Sequence, residues 1–114
     1  MCIGLVDTEA SYCSIPGGFA KDLGLDLESG KEDIIGTGNG KTKIYLHNCK
    51  IDIYDTLELQ KHQNYKIVYT IQTREIPFLP KLPTVLLGAN GFLMNFILTI
   101  DYPNKLFSIL KTET

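Results

Sequence analysis

A single carboxylate stands at a point where a strand could present it for chemistry. Asp7 directly follows the apolar run Cys2–Val6, and the chain continues through Thr8–Ser11, which has the sequence Thr-Glu-Ala-Ser. A carboxylate held in this way can act as a general acid or a general base. Asp, Thr and Ser side chains also bond to nearby backbone in turns, so Asp7 could instead cap its own loop. These residues alone leave both interpretations open.

The other reactive residue types suggest no second centre. His47 and His62 lie far apart in the sequence, and we expect each of them on the surface or in a hairpin. The three cysteines, Cys2, Cys13 and Cys49, lack C-x-x-C spacing, so neither a disulfide framework nor a structural zinc site is expected. An odd number of unpaired thiols is typical of a reducing compartment, which predicts a cytoplasmic protein. No metal and no cofactor are expected.

Length and composition predict one folded domain over residues 1–114. Hydrophobic residues make up 44% of the chain and charged residues 21%, which argues against disorder. The net charge is −2 and there is no basic stripe, so nucleic acid is not an expected partner. No apolar run approaches the length needed to cross a bilayer, so a membrane is not an expected partner either.

Apolar residues alternate along much of the chain, which predicts a mainly β fold. Asp33–Thr37 and Lys41–Leu46 flank Gly38-Asn39-Gly40, where glycine and asparagine favour a tight hairpin turn. The alternation changes phase across His47-Asn48, which predicts a bulge or turn there. Further strands are predicted at Cys2–Val6 and Thr84–Gly88, both buried, at Lys66–Gln72, and in a closing hairpin formed by Ile97–Tyr102 and Leu106–Leu110.

Three segments have other patterns. Gly17–Leu25 has a weak helical pattern, with a compact loop as the alternative. Thr73–Pro83 carries three prolines and is predicted to be a rigid connector rather than a polyproline ligand for a recognition module. Ala89–Phe96 is predicted to be a short helix.

Four segments resemble the retropepsin-like aspartic proteases, in the order that this family has them. Leu5–Ser11 is similar to the catalytic loop, which in the family reads Asp-Thr-Gly-Ala, and Ile34–Lys41 is similar to the glycine-rich flap. Leu82–Gly88, running into the predicted helix Ala89–Phe96, resembles the second hydrophobic-hydrophobic-glycine segment. Ile97–Tyr102 resembles the last strands, so the resemblance covers about residues 3–110.

This resemblance implies a small closed or partly open β barrel of the retropepsin type, with one short helix after Gly88. It also implies an aspartic endopeptidase in which two carboxylates share one proton and supply both the acid and the base, as in aspartic proteases generally. The chain has only one such motif, so its working form would be a homodimer acting on peptide or protein substrates. The implied site residues are Asp7 as the catalytic carboxylate, Thr8 and Ala10 as loop supports, and Ile35, Gly36, Thr37, Gly38, Asn39 and Gly40 as the flap.

Three features depart from the family pattern. Glu9 replaces the motif glycine, and a dimer would gather four carboxylates at one site unless Glu9 turns to solvent. Ser11 and Ala89 stand where many members have an acid and an arginine that form an ion pair. Only six residues precede Asp7, so the usual N-terminal hairpin is missing from this sequence. The alternative function is therefore a catalytically inactive retropepsin-like module for dimerisation or peptide binding.

Overall fold

The chain folds mainly as β-strands, and the computed structural model describes residues 2–38 and 40–111. The described part also contains two short α-helices and two 3-10 turns, at Leu27–Ser29 and Leu93–Asn95. The strands are β1 Gly4–Val6, β2 Ile15–Pro16, β3 Lys31–Thr37, β4 Gly40–Tyr54, β5 Ile67–Leu79, β6 Val85–Leu87, β7 Phe96–Asp101 and β8 Leu106–Lys111; the helices are α1 Phe19–Asp22 and α2 Thr56–His62.

The strands of the described residues form three open sheets. The largest has the order β2-β5-β4-β3, while β1 pairs only with β6 and β7 only with β8. The mainly β prediction is confirmed. A closed barrel, one of the two forms expected, is not present in the described part of the chain, because no ladder joins the three sheets into a ring.

The predicted central hairpin is confirmed. Strand β3 pairs antiparallel with β4 from Lys31–Leu46 at one end to Thr37–Gly40 at the tip. The predicted bulge is also confirmed, because the pairing of β4 with β5 shifts register between His47 and Cys49. Beyond this shift, the second half of β4 packs Cys49, Ile51 and Ile53 against the core.

The prediction of a rigid proline-rich connector over Thr73–Pro83 is only partly right. Strand β5 does not end at Gln72 but continues to Leu79, passing through Pro77, which pairs with Leu46. Pro77 lies just beyond the register shift, where the ladder between β4 and β5 is already irregular, and this is the kind of position at which a strand accepts proline. The turn that follows β5 begins at Pro80.

The helices also differ from the prediction. Ala89–Phe96 contains no α-helix, only the 3-10 turn Leu93–Asn95, so the single helix expected after Gly88 is wrong. The longer helix, α2, instead connects β4 to β5. Its N-terminus is capped by Asp55, whose Oδ1 accepts hydrogen bonds from two backbone N–H groups of the first turn. Within Gly17–Leu25 the helical prediction is confirmed over Phe19–Asp22.

The core is formed by side chains from the segment between β1 and the end of α1, from β5, and from the segment that follows β6. Phe78 is fully buried at its centre, and its ring meets the His47 ring edge-on with centroids 5.1 Å apart. Phe92 and Phe96 form a second aromatic contact, at 5.1 Å. The buried residues of this core cluster are Cys13, Ile15, Ala20, Ile71, Ile76, Phe78, Phe92 and Phe96.

The edges of the molecule are less buried than the sequence suggested. Strand β1 forms as predicted, but Leu5 is 55% exposed, so the buried strand expected over Cys2–Val6 is wrong. Strand β6 does bury Val85. The closing hairpin of β7 and β8 is confirmed. No helix in the described residues has the length and apolar character needed to cross a membrane.

Candidate active site

Asp7 lies at the carboxyl end of β1, partly buried, beside the end of β6. Strand β1 runs parallel to β6, and the Asp7 N–H extends this ladder by donating to the Leu87 carbonyl at 3.1 Å. On the other side of β6, Leu86 exchanges backbone hydrogen bonds with Ser14, at 2.8 and 2.9 Å. The loop between Asp7 and Ser14 therefore wraps around the end of β6.

Gly88 fits against this loop because it has no side chain. A Cβ atom added at Gly88 would meet the carbonyl oxygen of Tyr12 and lie 2.7 Å from that of Ala10. Both are backbone atoms, which cannot rotate away as a side chain can. Close approach of two backbone segments is the situation in which only glycine is accommodated. Sequence reasoning brought Leu82–Gly88 and the Asp7 loop into one site, and the structure places them in direct contact.

A short hydrogen-bonded lock extends this contact. The Ala89 N–H donates to the Ala10 carbonyl at 2.9 Å. The backbone N–H and the side-chain amide of Asn90 both donate to the Ser11 carbonyl, each at 2.9 Å. The Cys13 N–H in turn donates to the Asn90 carbonyl at 3.4 Å. We call the loop Asp7–Cys13 together with Gly88–Asn90 the loop lock. It fixes the backbone on both sides of Asp7.

The Asp7 carboxyl is itself oriented within the loop. Its Oδ1 accepts a hydrogen bond from the Glu9 N–H at 3.1 Å, and the Ala10 N–H donates to the Asp7 carbonyl at 3.2 Å. These are the contacts of a carboxylate that caps its own turn, as the structural alternative predicted. Oδ2 has no partner within the described residues, so the cap leaves one carboxyl oxygen free for chemistry.

Glu9 and Thr8 are both exposed. Glu9 therefore has the freedom to turn to solvent that a dimer of this chain would require. Thr8 lies on the rim of an apolar groove of about 380 Å³ next to β1. We call this surface the β1 groove; it is lined by Gly4, Leu5, Val6, Thr8, Leu98, Ile100 and Phe107.

The predicted flap forms the tip of the β3–β4 hairpin. Ile35 pairs with Thr42 and Gly36 with Lys41, and Thr37 pairs with Gly40, which has a φ of +108°. Asn39 lies outside the described residues. No hydrogen bond or ion pair among the described contacts joins residues 35–38 to the loop 7–10. The structure thus assembles the Asp7 loop and the Gly88 segment, while the flap remains a separate element.

Burial shapes the electrostatics behind the lock. Burial raises the pKa of the Cys13 thiol, a hydrogen bond with the Gly88 backbone lowers it, and the nearby Cys49 raises it further. Burial likewise raises the pKa of Cys49, against the opposing effect of its hydrogen bond with Thr73. All three cysteines are free, and no cluster of three or more metal-ligating side chains occurs in the part of the chain that the structure describes.

Sequence reasoning missed one contributor to the site. Asn90 closes the loop lock, whereas the sequence pattern predicts it only as part of the helix Ala89–Phe96. The signal was present in the sequence: Asn90 stands two residues after the glycine of the Leu-Leu-Gly segment, where the backbone is already constrained to meet the Asp7 loop.

Comparisons of this chain with family models, curated proteins and solved structures found no match. A functional assignment therefore depends on the geometry of the loop lock and on the motifs that the sequence carries. Neither the family resemblance nor the dimer has support from a relative.

Proposed function

We propose that this chain is a retropepsin-like aspartic endopeptidase domain that hydrolyses peptide bonds as a homodimer. The observation that carries the proposal is the loop lock. Asp7 sits at a strand end with its backbone bonded to Leu87, and its neighbours are held against Gly88. This contact fixes the loop, and a catalytic carboxyl must be held within a fraction of an ångström.

The chemistry requires a second carboxyl group. An ionised carboxylate takes a proton from water, the water oxygen attacks the peptide carbonyl carbon, and a protonated carboxyl group donates its proton to the carbonyl oxygen. The C–N bond of this tetrahedral intermediate then breaks: the carboxyl group that took the water proton gives it to the leaving nitrogen, and the other carboxylate takes a proton back from a hydroxyl group of the intermediate, which becomes the new carboxyl end. Two neighbouring carboxyl groups that share one proton supply both functions. Within the loop lock Asp7 is the one partly buried carboxyl group, since Glu9 is exposed, so the partner in this mechanism is the partner copy's own Asp7, related by a two-fold axis.

The β1 groove supports a two-fold arrangement at this place. Leu5 and Thr8 line it beside Asp7, and Phe107 faces it from β8 with 56% of its surface exposed. Apolar surface of this extent beside a proposed half-site favours burial against a partner. In the proposed dimer the second copy covers this groove, and Thr8 braces the two loops against each other. Ile100 and Phe107 pair across the β7–β8 hairpin, so they lie on the same face, and both are at least half exposed at the groove.

The substrate is an extended peptide. Strand β3 is the outer strand of the central sheet, so backbone groups on one side of it are available to pair with a further strand. In the proposed complex the hairpin tip Ile35–Gly40 closes over the peptide, excludes water and contacts its backbone. Glycines at Gly36 and Gly38 leave open space in which a substrate backbone can approach closely.

The decisive experiment is cleavage of a peptide library by the wild type and by Asp7→Asn between about pH 4 and pH 7. Asn keeps the shape of the side chain but cannot ionise, so we expect cleavage to fall by about three orders of magnitude or more. Asp22→Asn, an exposed substitution on α1, is the matched control and should cleave as the wild type does. Equal cleavage by wild type and Asp7→Asn would reject the proposal.

The second candidate is a catalytically inactive module with the same dimer and peptide surface. The observation in its favour is the bond from the Glu9 N–H to Asp7 Oδ1, the contact of a carboxylate that simply caps a turn. Glu9→Gly separates the two functions, because it restores the motif glycine without removing Asp7. If Glu9→Gly is dimeric in solution and neither it nor the wild type cleaves any peptide, the module is the correct assignment.

Mass in solution provides an independent check. Sedimentation of the wild type at micromolar concentration should show a dimer, since a dyad cannot form in one chain. A chain that remains strictly monomeric at every concentration tested would exclude the shared-proton mechanism, whatever the peptide assay shows.

A further inference from the structure

A second groove, of about 330 Å³, lies at the far end of the Asp7 loop. It shares no lining residue with the β1 groove, and it is the more polar of the two by composition. We call it the Arg74 groove; its walls are Tyr12, Arg74, Glu75, Ile76, Asn90 and Gly91. The proposed peptidase mechanism uses neither of its two charged side chains.

Arg74 is the only arginine in the chain. It is exposed, and the ion pairs found among the described residues involve other side chains, Lys43 with Glu32 and Lys50 with Asp52. A guanidinium group presents several N–H donors in a fixed plane that matches the two oxygens of a carboxylate. Its position in a groove that Tyr12 also lines suits recognition of a carboxylate better than solvation alone.

Glu75 reaches the same groove through an unusual backbone conformation. In a regular strand Arg74 and Glu75 would point to opposite faces, but Glu75 has a φ of +50°. Its N–H donates to the Asn48 side-chain oxygen at 2.9 Å, at the register shift of β4. A left-handed conformation costs energy in a residue other than glycine and is often retained where it positions a functional group. Arg74 and Glu75 both line this groove, and no ion pair between them is found among the described residues.

We propose that the Arg74 groove binds a small zwitterion, an amino acid or a short peptide. Its carboxylate pairs with the Arg74 guanidinium and its ammonium group pairs with the Glu75 carboxylate. Tyr12, which is 62% exposed, offers a ring face to an apolar side chain and a hydroxyl group at its edge. The groove volume lies at the small end of the range for ligand sites, which fits a ligand of one or two residues.

This site contacts the loop lock. Tyr12 belongs to the Asp7 loop. Asn90, which also lines the groove, donates to the Ser11 carbonyl of the same loop. A ligand in the groove would therefore contact the two segments that hold the Asp7 loop. Binding itself does not depend on peptidase activity, so the inference goes beyond the proposed function and can be tested on an inactive variant.

Calorimetric titration with four probes tests the charge requirement. Leucine and leucylglycine carry both charges, N-acetylleucine carries only the carboxylate, and leucinamide carries only the ammonium group. We expect a zwitterion to bind, and each singly charged probe to bind at least about tenfold more weakly, because a hydrogen bond to a charged group is lost. Leucine and leucylglycine also distinguish the two sources: binding of leucine alone identifies a free amino acid, and binding of leucylglycine alone identifies a peptide. Both outcomes support the site.

Two charge-removing variants locate the binding. Arg74→Gln should weaken binding of leucine or leucylglycine by about tenfold or more, and Glu75→Gln should do the same. Glu75→Gln should leave N-acetylleucine binding no weaker than in the wild type, since that probe has no ammonium group. Lys81→Gln and Glu28→Gln remove the same charges at exposed positions outside the groove and are the matched controls. The far-ultraviolet circular dichroism of all variants should match the wild type.

The inference is overturned if neither leucine nor leucylglycine binds at millimolar concentration. It is also overturned if Arg74→Gln binds the zwitterion as tightly as Lys81→Gln does, because the ligand then sits elsewhere. Titration of Asp7→Asn keeps this result separate from the peptidase proposal. That variant should bind the zwitterion as the wild type does, even if the peptidase proposal fails.

Discussion

The loop lock and the β1 groove lie on either side of Asp7 and differ in how complete they are within one chain. In the loop lock, backbone groups of Asp7–Cys13 are bonded to Gly88–Asn90, and a glycine fills the one position where no side chain fits. In the β1 groove, apolar side chains such as Leu5 and Phe107 remain half exposed. The difference suggests that the chain specifies the half-site by itself and leaves the opposite wall to a partner.

The largest effect is expected from adding a side chain at Gly88 in the loop lock. Gly88→Ala places a Cβ against the carbonyl oxygens of Ala10 and Tyr12, so we expect the free energy of unfolding to fall by about 3 kcal/mol. Chemical denaturation monitored by circular dichroism measures it. Gly36→Ala is the control, because the space around Gly36 is open, and it should cost about 0.5 kcal/mol or less. Equal costs for both variants would show that the lock is not tightly packed.

The second test changes the β1 groove. Phe107→Asp puts a charge into the β1 groove, and we expect dimer affinity to fall about 30-fold or more, equivalent to about 2 kcal/mol of association free energy. Sedimentation measures the dissociation constant. Leu57→Asp on α2 is the matched control, since Leu57 is similarly exposed but does not line the groove. A dimer that tolerates Phe107→Asp would show that the two copies meet at another surface.

Much of the loop lock could be predicted from the sequence. The order of the loop after Val6 and the glycine after Leu86-Leu87 predicts that the two segments belong together, and they are in contact. The hairpin tip and the bulge at His47-Asn48 were also predicted, since turn residues and a change of phase are local signals.

The rest depended on contacts that no local pattern reports. Leu5 is exposed at the edge of a two-stranded sheet in the described part of the chain, and an apolar run cannot reveal this. Strand β5 passes through Pro77 because the ladder is irregular there, so the proline did not end the strand. Helix α2 did have a local signal: Asp55 is followed three residues later by Glu58, the spacing of a capping box. The positive φ of Glu75 had none.

A smaller effect sharpens the description of the lock itself. Asn90→Ala removes the side-chain hydrogen bond to the Ser11 carbonyl at 2.9 Å but keeps the backbone bond to the same oxygen. We expect a loss of about 1 kcal/mol in the free energy of unfolding, the usual net value of one such bond. Asn64→Ala, in the loop after α2, is the control and should be nearly neutral. If both substitutions are neutral, the lock depends on backbone contacts alone.

The last prediction leaves the sequence unchanged and uses the thiols as probes of the two sides. Cys2 is exposed next to β1, whereas Cys13 is 1% exposed inside the lock and burial raises its pKa. Since only the thiolate reacts, and a raised pKa leaves less of it at about pH 8, an alkylating reagent should modify Cys2 first and Cys13 and Cys49 far more slowly. In denaturant all three should react at similar rates. Mass spectrometry of the labelled peptides measures each rate. If Cys13 in the native protein were labelled as fast as Cys2, the lock would have to open frequently, and the contrast between a closed half-site and an open groove would not hold.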